Sequence, residues 1–178
     1  GLSQLFSPKI GVTEPEISEN VKFYLKNADK INQLVGIKRE AEQYFYDSVT
    51  PILGENNWES PRLNIETVGF KDSSGCIVGY IYFNQYFSKE KKLKFEFWIK
   101  GVESVNNWNK GRYEEFQKKC PNLSPEIEFP QQSEGKEWKM IAIRTIDVGD
   151  GLNFVGLINN ELSTTWKKVR EVIKPLIK

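Results

Sequence analysis

Glu126 and, after ten intervening residues, the triplet Glu137-Trp138-Lys139 are the residues whose types and spacing suit catalysis. Two carboxylates on neighbouring strands can hold a Mg2+ ion. A lysine beside them can position the attacking water or stabilise charge developing on a phosphodiester. The spacing predicts that Glu126 and Glu137 lie near two adjacent strands. The same acid-any-Lys triplet also starts at Glu90 and at Glu134, and a chain with 24 acidic residues in 178 positions produces about three such triplets by chance. The competing reading is a charged hairpin in which these side chains are solvated.

Most other site chemistry is excluded by residue type. The chain has no histidine, which removes histidine-activated serine and cysteine nucleophiles, histidine-ligated zinc and the two-histidine iron site. Its two cysteines, Cys76 and Cys120, cannot build a four-ligand structural zinc site or a disulfide framework, and read as small buried thiols. No glycine-rich phosphate cradle follows a strand. The loop Asp147-Val148-Gly149-Asp150-Gly151 alternates Asp and Gly as calcium loops do, but lacks the later bidentate glutamate and reads as a turn. No metal or other cofactor is expected, with Mg2+ implied only by the nuclease reading.

A second kind of chemistry is recognition by aromatic side chains. In the segment from Cys76 to Phe87, Ile77, Ile81, Phe83 and Phe87 are expected to face helices. The alternate positions Cys76, Val78, Tyr80, Tyr82 and Tyr86 are too apolar for an ordinary solvated face. In the next strand Leu93, Phe95, Phe97 and Ile99 alternate with Lys94, Glu96, Trp98 and Lys100. If the two polar-aromatic faces coincide, Tyr80, Tyr82, Tyr86 and Trp98 form a surface ringed by Lys94 and Lys100. Such a surface suits a protein partner, a second copy of the chain or stacked bases. The alternative is a sheet covered by helices on both faces, in which these rings are core.

The elements that position these residues follow from periodicity. Residues 1–12 show no period and read as a loose arm. Thr13, Pro15 and Glu16 form a helix start. Ile17, Val21, Leu25, Ala28, Ile31 and Leu34 form one helical face, with Asn27 and Asp29 as potential breaks and Gly36 as a stop or kink. A second helix runs through Ile37, Ala41, Tyr44, Phe45 and Val49 towards Pro51 and Gly54. The period then changes to two, for strands ending near Phe70, over Cys76–Phe87 and over Leu93–Lys100. A helix across Asn106–Lys119, a short extended piece at Glu126–Phe129, a strand over Trp138–Ile146 and a helix over Asn153–Ile173 complete the order α-α-β-β-β-α-β-β-α. That order predicts one α+β domain over residues 1–178, with a single antiparallel sheet of about five strands packed with helices.

From about Arg62 onward, this layout, with Lys94-Phe95-Glu96-Phe97-Trp98-Ile99 and Trp166, resembles a prokaryotic uncharacterised domain found alone or fused behind PD-(D/E)XK-type nucleases. The resemblance covers about two thirds of the chain. It implies an accessory or recognition role in DNA-associated or defence systems and carries over no catalytic residue. The Pro125-Glu126 and Glu137-Trp138-Lys139 spacing also fits the PD-(D/E)XK pattern itself.

Charge and composition weigh on the partner. Twenty-five basic residues against 24 acidic ones give a net charge of +1, without the basic excess usual in a dedicated nucleic-acid binder. No apolar run reaches the roughly 20 residues that span a bilayer and no secretory signal is evident, so a cytoplasmic protein without a membrane partner is expected. The leading expectation is a non-catalytic binding module whose partner is a protein or a second copy, with nucleic acid as the other partner class. A metal-dependent nuclease and a small-molecule-binding domain with an aromatic pocket are the alternatives.

Overall fold

The computed structural model describes residues 16–60, 66–83, 89–109, 111–120, 127–128, 136–149 and 153–178. The chain divides into two units, residues 1–38 and 39–178. No helix among the described residues is long and apolar enough to cross a membrane.

One helix, α1 (Glu19–Glu55), begins in the first unit and ends in the second. The Ser18 hydroxyl accepts the Val21 N–H at its start. Its helical geometry is interrupted at Asn27 (φ −122°, ψ 15°), where the side-chain amide donates to the Phe23 carbonyl. Asparagine competes for backbone groups in this way and so breaks helices. The expected stop at Gly36 does not occur. A helical glycine costs only about 1 kcal/mol relative to alanine, which the strong helix formers Leu34, Lys38, Arg39, Glu40 and Ala41 nearby outweigh. The apolar face predicted for the first unit is not buried either: Ile17, Leu25 and Leu34 are between 51% and 65% exposed.

In the second unit the end of α1 buries Phe45, Val49, Ile52 and Leu53. A single antiparallel sheet follows. Its four longer strands are β1 (Thr67–Lys71), β2 (Ile77–Tyr82), β3 (Lys92–Lys100) and β5 (Trp138–Asp147), and the two-residue β4 (Ile127–Glu128) borders β5. The strand order is β1-β2-β3-β5-β4. Residues Val68, Phe70, Ile81, Phe95, Phe97 and Ile99 are completely buried on the inner face. Phe70 lies directly over Gly79, where any Cβ would collide with its ring. Between β3 and β5 the register shifts at Phe97/Trp98, so Trp98 pairs with Met140 while Phe97 pairs with Ala142. Ile141 is the extra residue of this bulge, and facing alternation in β5 reverses across it.

The element order departs from the expectation α-α-β-β-β-α-β-β-α in three places. The break between the first two helices falls at the Asn27 kink inside α1 and not at Gly36. The helix expected over Asn106–Lys119 is two, α2 (Val102–Trp108) and α3 (Arg112–Lys119), separated at Gly111, whose left-handed φ of 88° an α-helix cannot contain. The last helix is α4 (Phe154–Glu161), a π-helical turn (Leu162–Trp166) and α5 (Lys167–Ile173). Phe154, Ile158, Leu162 and Trp166 are all buried and four residues apart. In a regular α-helix each such step rotates the buried face by about 40°, and the wider π turn offsets that drift.

These last helices cover the inner face of the sheet. The Trp166 ring stacks on Phe97 with centroids 4.1 Å apart and planes 7° apart, and lies beside Phe95. Phe45 from α1 stacks on both Phe83 and Phe154. Trp58, just after α1, meets Phe70 and Phe97 edge-on. Large aromatics therefore carry much of this core, in the stacked and edge-on arrangements their quadrupoles favour.

Candidate functional site

The outer face of the same sheet carries the aromatic residues singled out from the sequence. Pairing puts Tyr82 opposite Lys94, Tyr80 opposite Glu96 and Val78 opposite Trp98, so the two alternating faces coincide. Tyr80, Tyr82, Lys94 and Trp98 are half-buried, Lys100 is exposed, and none of the three rings belongs to the main hydrophobic core. Tyr86 lies outside the described residues.

Glu96 is the hub of this face, with a side chain only 9% exposed. Its Oε2 accepts the Tyr82 hydroxyl at 3.0 Å and the Trp98 indole N–H at 3.1 Å. Its Oε1 lies 2.7 Å from the Lys94 ammonium, which also sits 4.6 Å from the centre of the Tyr82 ring. Strand alternation puts Glu96 on this face without assigning it a role. Its signal was a lone carboxylate between outward lysines on a strand whose neighbour carries two outward tyrosines. A buried carboxylate with this many donors is satisfied, and it fixes the rotamers of the rings around it.

Burial, and then the negative charge and hydrogen bond of Glu96, push the Tyr82 phenol well above its ordinary value of 10. Burial and Glu96 raise Tyr80 as well. The folded chain thus holds the Tyr82 proton more tightly than the unfolded chain, whose tyrosines titrate near 10. The stabilisation from this group is complete below that range and is lost as pH rises through it. In an alkaline absorbance titration Tyr82→Phe should remove a late-ionising phenol and leave the early steps intact. Loss of an early step instead would contradict the Glu96 arrangement.

Beside this cluster lies a depression of about 130 Å3, lined by Gly69, Phe70, Lys71, Gly75, Val78, Tyr80, Lys100 and Trp138. The Lys100 ammonium sits 5.0 Å from the centre of the Trp138 ring. Lys71 is paired with Glu59 at 3.3 Å. A larger cavity of about 230 Å3 adjoins Ser74, Cys76, Ser104 and Lys174, away from the predicted site residues. Of the two cysteines expected to be buried, Cys120 is, whereas Cys76 is only half-buried.

The residues proposed for metal-dependent catalysis are not assembled among the described residues. Glu137 is exposed just before β5. Lys139 is buried, paired with Ile99 on the inner side, and its ammonium donates to the Asn109 side-chain oxygen at 2.7 Å. Glu126 lies outside the described residues. Among the described residues no three Cys, Asp or Glu side chains cluster closely enough to hold a metal ion. Of the Asp-Gly loop, Asp147 ends β5 and Gly149 adopts a left-handed φ of 63°, while Asp150 and Gly151 lie outside the described residues.

No family model, curated protein or solved structure matches this chain.

Proposed function

We propose that the chain is a non-catalytic interaction module that receives a protein partner on the outer face of its sheet. The observation that carries this reading is the outer face itself. Tyr82 and Trp98 are held in place by Glu96 and Tyr80 lies against the Tyr82 ring, yet all three remain half-exposed, outside the core that the helices cover. Rigid aromatics with fixed rotamers lose little entropy on binding and are the residues that most often anchor protein interfaces. A prokaryotic or phage DNA-associated defence setting belongs to the same proposal, supported by the layout resemblance alone.

A photo-crosslinking amino acid tests the face directly. Placed at Thr145, which is exposed and pairs with Lys94, it should give one discrete adduct in cells. Adding Tyr80→Ala and Trp98→Ala should abolish that adduct, and the same probe at the exposed Glu171 on α5 should give none. Equal labelling at both positions, or an adduct indifferent to the aromatic substitutions, would count against the reading. An adduct of twice the chain mass would identify the partner as a second copy.

A further inference from the structure

The depression beside the Glu96 cluster differs from the rest of the sheet face in having space, and its chemistry specifies what fits. Val78, itself buried, lines it, and Gly69, opposite Tyr80 in the register, contributes no side chain. Trp98, the neighbour of Val78 on β3, directs its indole N–H to Glu96 and is not among the lining residues. Tyr80 and Trp138 line it with aromatic rings, and Lys71 and Lys100 line it with charged side chains. A volume of about 130 Å3 is well below the roughly 300–1,000 Å3 of pockets that hold small-molecule ligands. It has room for one ring.

The charges decide what stands beside that ring. Lys94 is paired with Glu96 and Lys71 with Glu59. Lys100 makes no ion pair among the described residues and has only the Trp138 face beneath it. Among the described lysines that line this depression, Lys100 is thus the ammonium left to meet a ligand. A polyphosphate strand requires several cations along its path, and two carboxylates stand on this same surface.

We infer that the depression is an anchor pocket for an aromatic side chain of the protein partner, carried next to a carboxylate that pairs with Lys100. This rests on the sheet-face reading above and names the chemistry of its partner. The exposed Lys100 can be reversed in charge without disturbing the core.

The test is fluorescence anisotropy with labelled peptides in a glycine-serine background, one with the core Glu-Trp-Glu, one with Lys-Trp-Lys and one with Glu-Ala-Glu. The Glu-Trp-Glu peptide should bind most tightly. Lys100→Glu should weaken it by about fivefold to tenfold and strengthen the Lys-Trp-Lys peptide, as expected when one charge pair is reversed. Val78→Phe, which adds bulk to the lining, should weaken every tryptophan peptide. The inference is overturned if none of the peptides binds, if Glu-Ala-Glu binds as tightly as Glu-Trp-Glu, if Lys100→Glu changes neither affinity, or if a short oligothymidylate binds more tightly than any peptide. If it fails while the Thr145 adduct persists, the anchor chemistry is wrong and the sheet-face reading stands. Loss of both removes the reading itself.

Discussion

Trp166→Ala should lower the unfolding free energy by about 3–5 kcal/mol, the usual cost of truncating a buried tryptophan. The indole is completely buried, stacks on Phe97 and flanks Phe95, so its removal leaves a void between the C-terminal helices and the centre of the sheet. With total stabilities of about 5–15 kcal/mol in domains of this kind, the loss removes a large fraction. In urea the midpoint should fall by about 2 M if the dependence is near 2 kcal/mol per molar. Trp166→Phe should be far milder. The Trp166 Nε1 has no hydrogen-bond partner among the described residues, so phenylalanine keeps most of the stacking and removes a buried N–H. Equal destabilisation by alanine and phenylalanine would show that the stack is not what holds this layer together.

The second large effect is expected at Arg144 and Glu161. Arg144 NηH2 donates to Glu161 Oε1 at 3.0 Å and Nε lies 3.0 Å from Oε2, with the two side chains only 11% and 7% exposed. The Nε approach is close enough for ion pairing but off the hydrogen-bond direction. Each ion has been taken out of water at a cost that its partner offsets. Arg144→Met should therefore cost about 3–5 kcal/mol, because it leaves the buried Glu161 carboxylate without the guanidinium that faces it. Adding Glu161→Leu to Arg144→Met should recover part of that loss, because the carboxylate that needed a counterion is then gone. Urea unfolding of the two single variants and the double closes the cycle. Simple additivity of the two losses would mean that the pair is not coupled. The same Arg144 locks β5 to α4, next to the π turn.

Much of the sheet was legible from the order of the residues. Strict alternation in Leu93–Lys100 placed Phe95, Phe97 and Ile99 on one face and Lys94, Glu96, Trp98 and Lys100 on the other, and that is their arrangement. Whether Tyr80 and Tyr82 share the outer face with Trp98 depended on strand register, and the pairing of the two strands puts them there. Helix boundaries were less legible. Gly36 looked like a stop and is not one, because local glycine cost is small against a long helix; Gly111 is a stop because its φ is positive. The hub role of Glu96 could not be read, since hydrogen bonds from Tyr82 and Trp98 depend on rotamers and not on spacing.

The acid-and-lysine constellation shows the same division. The chain by itself determined which chemistries are absent, because residue types are composition, and which residues share a sheet face, because the side-chain period of a strand is two. It determined that Glu137 and Lys139 are two apart. Only the tertiary structure decided that Lys139 turns inward to Asn109 while Glu137 stays in solvent. It alone placed the bulge at Phe97/Trp98, and thereby brought Arg144 to the inner face and Ile143 opposite Glu96. One extra residue in one strand reverses every side chain beyond it, and a choice that small depends on how the helices pack across the sheet.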